Sequence, residues 1–335
     1  MVFRKLILKA MGQSGLYALF RAHRKGALAI AYHGVEREIL DRRIQTVHIS
    51  LARFERQVRY MESHFELISL DDLNERLKDA KGLDGRQVLL TFDDGYRNNL
   101  DVVAPFLESR NIPFTVFICT EHTRTGRRMP TYRLRAGIYL TEHRSCRVRG
   151  FPGEFDLGSP RARDRALATI ATRYKTAPQE EADAILEDVV SLVSEERWTE
   201  IDGRFTSDAP MSWDEVQTLH QGGVLIGSHA RGHVILHPGQ DAERIHQEVV
   251  QSRRDVEEHL GSCRYFAYPN GTSQDIAMAA VEAVGSSGFE LAFTAEFGEI
   301  RRETDRRLLP RIDGDDGFEY LKFYLNTAYR PGHRS

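Results

Sequence analysis

The sequence predicts an α/β fold, a distorted (β/α) barrel interrupted by a charged, helix-prone insertion. Three observations carry that reading. Short apolar runs alternate with helix-period stretches from Ala27 to Phe293, the mark of βαβ units around a largely parallel sheet. The alternation lapses once, between about residues 121 and 210, and then resumes. With 41% hydrophobic and 28% charged residues in a chain of 335, one sizeable core with an insertion suffices, and neither disorder nor a fibre is indicated.

Residues 1–26 read as a basic amphipathic segment. Arg4, Lys5, Lys9, Arg21, Arg24 and Lys25 all precede the first acidic residue, Glu36, and are interleaved with Phe3, Leu6, Ile7, Leu19 and Phe20. Such a helix suits an anionic lipid surface through residues 1–25, or packing on the domain. The catalytic domain is expected over 27–330. Ala27–Tyr32 is a buried strand ending at His33-Gly34. Leu51, Phe54, Val58 and Met61 recur at helical spacing, Phe65–Leu70 predicts a strand, and a short helix follows near Leu73–Leu77. Strand Val88–Phe92, a helix over Leu100–Arg110 and strand Phe114–Cys119 continue the rhythm.

The insertion opens with Arg124, Arg127, Arg128, Arg133, Arg135, Arg144, Arg147 and Arg149, which would attract phosphate or lie solvated. The pattern returns with a helix near Trp213–His220, strand Val224–Ser228, a polar helix from Asp241 to Leu260 and strand Arg264–Tyr268. Shorter units run from Ile276 to Phe293, and Leu308–Ile312 is expected to close the sheet.

Chemistry gathers at strand ends. Thr91-Phe92-Asp93-Asp94-Gly95 places two carboxylates where a buried strand runs out, the usual seat of catalytic groups in parallel α/β folds. A divalent cation would relieve their repulsion by fixing one as a ligand and leaving the other as a base. Taken alone, Asp-Gly is also an ordinary turn. Ser228-His229-Ala230-Arg231-Gly232-His233 follows another strand with imidazoles four residues apart, a spacing that one helical turn would bring to one face. Two histidines and an aspartate leave coordination positions open, as in catalytic zinc sites.

With Phe266-Ala267-Tyr268-Pro269-Asn270-Gly271, these motifs resemble, in order, those of the polysaccharide deacetylase family, which includes the nodulation chitooligosaccharide deacetylases. Ala31-Tyr32-His33-Gly34-Val35 and Leu309-Pro310-Arg311-Ile312 extend the likeness, whose pattern is nearest the poly-N-acetylglucosamine deacetylase subgroup. The resemblance implies a deacetylase barrel and removal of an N-acetyl group from an amino sugar of a saccharide. By it, Asp93 is the general base, and Asp94, His229 and His233 bind a divalent metal, usually zinc. The Asn270 backbone amide then stabilises the oxyanion, with Tyr268 in the same substrate loop, and His33 is the acid for the departing amine. Two departures stand out: the late Leu-x-His acid motif is absent, and Phe266 or Ala267 replaces an arginine that pairs with the base. Arg311 is the substitute that could tune Asp93, or else a surface residue.

Hydrolysis of a formamide or a cyclic imide at the same centre, and non-catalytic carbohydrate binding, remain as alternatives. The slightly acidic net charge of -3, with no basic-aromatic motif, argues against nucleic acid. Cys119, Cys146 and Cys263 match no disulfide framework, and no apolar run reaches membrane-span length. The expectation is a cytoplasmic enzyme, peripheral at the inner membrane face, acting on a free, nucleotide-linked or lipid-linked saccharide in surface polysaccharide assembly.

Overall fold

Gln87–Phe92 is buried at every position, as a strand in the middle of a parallel sheet must be when both faces are covered. The computed structural model, which describes residues 16–79, 82–315 and 317–328, places it there. The described residues open with helix α1 (Leu16–Ala22) and strand β1 (Leu28–Tyr32), followed by a short parallel pair, β2 (Gly34–Glu36) and β3 (His48–Ser50). Helix α2 (Leu51–His64) buries Phe54, Val58 and Met61, as its period requires.

The strand expected over Phe65–Leu70 is only β4 (Glu66–Leu67). It stops because Ser69 and Asp72 form a capping box that starts α3 (Leu70–Lys78) at the same apolar residues. After β5 (Gln87–Phe92), the expected helix begins as a wider-wound turn at Asn99–Val103 before α4 (Ala104–Glu108), and β6 (Thr115–Ile118) follows.

Between β6 and β9 (Leu225–Ser228) lie α5 (Thr120–Thr125), α6 (Pro130–Leu140), the antiparallel pair β7 (Ser145–Cys146) and β8 (Phe155–Asp156), α7 (Pro160–Thr176), α8 (Gln179–Val190), α9 (Glu195–Arg204) and α10 (Trp213–Gln221). Leu134, Ile138, Leu167, Ile170, Ile185 and Val189 pack α6, α7 and α8 into a cluster of their own. Several of the arginines here are paired with carboxylates. Arg133 reaches Asp202 at 2.8 Å, Arg149 reaches Asp188 at 2.9 Å, and Arg124 reaches Glu121 at 2.6 Å.

Then come α11 (Ala242–Leu260), β10 (Tyr265–Ala267), α12 (Met278–Ser286), β11 (Leu291–Phe293), β12 (Ile312–Asp313) and α13 (Phe318–Thr327). The eight-stranded sheet is parallel throughout, in the order β11-β10-β9-β6-β5-β1-β12, with β4 also beside β5. The sheet curls until one segment joins its two ends. Leu309 bridges to Phe293 on β11, and Ile312 pairs with Ile30 on β1. Gly227 lets β9 sit tightly in this curve, since a Cβ there would lie 2.5 Å from the Phe117 ring. The core of the sheet holds Leu28, Ile30, Phe92, Val116 and Phe266.

Residues 1–15 of the basic segment lie outside the described residues. From residue 16 the chain packs on the domain: the Tyr17 ring stands 6.5 Å from that of Phe323, and Arg21 donates to Asn326 at 2.9 Å. Among the described residues, no helix is long and apolar enough to cross a membrane.

Candidate active site

The parallel register brings the ends of β1, β5, β9 and β10 to one rim, and the polar residues just beyond them meet there. At the end of β5, the Asp93 N–H donates to the Tyr32 carbonyl at 2.8 Å, which extends the pairing with β1 by one residue. Asp94 and Gly95 then take left-handed backbone conformations, φ 73° and 71°, and turn the chain away from the sheet. For a non-glycine residue this is a strained geometry held by its surroundings. Both carboxylates are buried.

Arg311, in the segment that closes the barrel, holds Asp93 through both guanidinium arms, each 2.8 Å from a carboxylate oxygen. The arginine is itself buried and donates to the Thr294 carbonyl at 2.9 Å, so its position is set by β11. Burial raises the Asp93 pKa, but Arg311, His229 and His33 outweigh it, and the carboxyl is held below its ordinary value.

His229 and His233 meet over Asp94, although not on a helical turn. Residues 229–233 form a loop, and the left-handed conformations of Ala230 (φ 60°) and His233 (φ 56°) fold it back. Loop geometry prevails over helix here because Glu248, on α11, accepts from the backbone N–H of Arg231 at 3.1 Å and of Gly232 at 2.7 Å. The His229 Nδ1–H donates to the Ala267 carbonyl at 2.7 Å, which leaves the Nε2 lone pair facing Asp94. Asp94 Oδ1 lies 3.6 Å from His229 Nε2 and 3.3 Å from His233 Nε2. That oxygen is buried and accepts no hydrogen bond. One carboxylate oxygen and two imidazole nitrogens thus converge, and the donor set fits a divalent cation. Burial brings the His229 pKa down to about 4 against the opposing pull of Asp93 and Asp94, so the ring is a neutral ligand at neutral pH.

His33 sits at the end of β1 on the same rim, its carbonyl held by the Asn99 side-chain amide at 2.9 Å. Its Nδ1 is buried without a partner. Burial lowers its pKa, but Asp94, Asp93, Asp315 and Asp313 together raise it above the ordinary histidine value. Asn270 follows β10 in a left-handed conformation, φ 61°. Its side chain accepts from Lys175 Nζ at 2.9 Å and donates to Asp275 at 2.5 Å. Among the described residues, nothing accepts from its backbone N–H.

Tyr268 does not reach the site with its side chain. It is buried in the core, edge-on to Phe266 with ring centroids 5.1 Å apart, and its hydroxyl has no partner. Alternation along the extended chain after β10 turns that ring inward.

Glu248 and Lys175 escaped the reading of the sequence. Glu248 carried a signal, a charged residue at the buried phase of α11 among Ile245, Val249, Ser252 and Val256. Lys175 carried none, because it lies 95 residues from the loop it touches. A cavity of about 970 Å³ opens beside the site, between the inserted helices and Arg231-Gly232.

The chain matches the sequence pattern of the family described as polysaccharide deacetylase over residues 80–146 and 184–289, about half its length. It is 34% identical over 88 residues to the poly-beta-1,6-N-acetyl-D-glucosamine N-deacetylase of Escherichia coli K12; the match spans 26% of this chain and 13% of that protein. In fold it is similar to IcaB from Ammonifex degensii, at TM-score 0.57 and 19% identity, covering 91% of this chain and 97% of that one. It is also similar to a de-N-acetylase from Aggregatibacter actinomycetemcomitans, at TM-score 0.54 and 15% identity, covering 89% and 99%. The matched residues include both carboxylates, both histidines and the Asn270 loop, and the chain belongs to the polysaccharide deacetylase family.

Proposed function

We propose that this protein is a metal-dependent hydrolase that removes the N-acetyl group from an amino sugar of a saccharide. One observation carries the reading: a buried carboxylate held ionised by Arg311 stands next to a buried Asp-His-His donor set with an unpartnered oxygen. A divalent cation held by Asp94, His229 and His233, zinc being the usual choice for such donors, would polarise the acetamide carbonyl and acidify a water. Asp93 takes the proton of the attacking water, and Arg311 keeps it free to do so. The Asn270 N–H receives the oxyanion that develops on the acetamide oxygen. His33, its pKa raised by the surrounding carboxylates, gives the proton that lets the amine depart.

The curated relative is named for β-1,6-linked N-acetylglucosamine, so oligomers of that sugar are the first substrate of choice. Surface polysaccharide assembly at the cytoplasmic face of the inner membrane, with a lipid-linked acceptor, belongs to the same proposal and is read by cell fractionation.

The decisive experiment measures acetate release from a panel of free, nucleotide-linked and lipid-linked N-acetylated saccharides. It compares metal-loaded protein, chelated protein and Asp93→Asn. Release that needs both metal and Asp93 supports the proposal and names the substrate class. Formate or a ring-opened acid from a formamide or cyclic imide panel, with no acetate, overturns it.

A further inference from the structure

The stretch that carries the two carboxylates runs on through Tyr96 and Arg97 to Asn98-Asn99, two fully buried amides. Both reach back to the bend after β1. Asn99 Nδ2 donates to the His33 carbonyl at 2.9 Å. Asn98 Oδ1 accepts from the Val35 N–H at 3.2 Å, and its Nδ2 donates to Glu36 Oε1 at 2.9 Å. With the Asp93 N–H on the Tyr32 carbonyl, one short segment holds two consecutive carbonyls of the neighbouring strand end, those of Tyr32 and His33. We propose that Asn99 is a positioning residue for the reaction: it fixes His33, the acid, relative to Asp93, the base. The inference rests on the reading of His33 as the proton donor to the departing amine.

His33 is the single residue between β1 and β2, beyond the last pair of the β1–β5 ladder, so its carbonyl needs a partner from outside the sheet. Asn99 supplies it, and in one orientation. Its Nδ2 lies between two acceptors, the His33 carbonyl and Asn98 Oδ1 at 3.4 Å, so turning the amide over would bring its oxygen against both.

The local winding serves the same contact. The Ala104 N–H donates to the Asn99 carbonyl, five residues back instead of four, a turn that recurs at functional sites. A wider turn rotates each residue by less than an α-helix does, which lets the adjacent side chains of Asn98 and Asn99 face one segment. An amide that served packing alone would have both its polar atoms satisfied. Here Asn99 Oδ1 and His33 Nδ1 are each buried without a partner, a pattern that stability by itself does not favour. The consequence is geometric. A proton donor must stand within hydrogen-bond reach of the leaving nitrogen, and a small displacement of its backbone lowers the rate steeply.

Two substrates at the same centre test this. Release of the amine from an N-acetylated saccharide needs a proton, whereas 4-nitrophenyl acetate loses a phenolate that departs without one. In the metal-loaded full chain, Asn99→Ala is expected to lower kcat on N-acetylglucosamine oligomers about 10–100-fold, with KM little changed, and kcat on the ester by less than about twofold. Asn99→Leu, close to the same volume, serves where Asn99→Ala melts early in circular dichroism. Equal losses on both substrates, or no loss on the saccharide, overturn the inference. Failure of the underlying reading is distinct: there the wild type releases no acetate from the saccharide, or His33→Gln slows both substrates alike, and the inference falls with it. A saccharide-selective loss in His33→Gln without one in the Asn99 variants overturns the positioning role alone.

Discussion

Asp93 and Arg311 show how one residue pair sets both chemistry and stability. Both are buried, so removing the guanidinium leaves an unpaired carboxylate, at a cost of about 3–5 kcal/mol by analogy with other buried pairs. The Asp93 pKa is lowered in the folded state, so its contribution to stability is present above the unfolded carboxyl value and is lost as pH falls through the folded one. The same shift keeps the base active into acid. In Arg311→Met, burial acts with less opposition, and the acid limb of the pH–kcat profile is expected to move to higher pH. An unmoved limb would separate Arg311 from the base. His33 has the opposite sign: its raised pKa keeps it protonated above the ordinary histidine range, near 6.5, so activity is expected to fall only as pH climbs beyond that. In His33→Gln the alkaline limb should vanish and kcat fall about 10²–10⁴-fold, the usual worth of a general acid.

At the scale of elements, two helices hold the loops that carry the chemistry. α11 presents Glu248 to two backbone N–H groups between the histidines, so Glu248→Gln is expected to weaken metal affinity about 10–100-fold without removing a ligand. Calorimetric titration with zinc checks this, and an unchanged affinity would limit Glu248 to packing. α7, from the insertion, brings Lys175 to the Asn270 side chain, a single hydrogen bond worth about 1 kcal/mol. Lys175→Met should therefore raise KM about fivefold with little change in melting temperature. An equal KM would leave the insertion without a part in shaping the substrate loop.

For the molecule as a whole, the closing segment is the point on which fold and site depend together. Leu309 meets β11, Ile312 meets β1, and Arg311 between them points to the base. Ile312→Ala removes buried apolar volume at this seam and is expected to cost about 2–5 kcal/mol by denaturant titration. Activity should fall more than stability predicts, because Arg311 loses its register. A loss confined to stability would detach the seam from the site.

Periodicity placed most strands and helices, since strand burial and helix faces are local properties of the chain. Its misses were local conflicts settled by side-chain bonds: the Ser69–Asp72 box that ends β4 early, and the Glu248 contacts that make a loop of residues 229–233. Motif order marked Asp93, Asp94, His229 and His233 as residues that belong together, because each follows the end of a strand in a parallel sheet. The sequence by itself determined the βαβ rhythm and these strand-end side chains. Tertiary structure alone decided that Arg311 lies against Asp93, that Lys175 meets Asn270, and that Asp208 is brought to Glu36 and His48. Each is a contact between residues far apart in the chain, set by sheet curvature and helix docking, which no local pattern encodes.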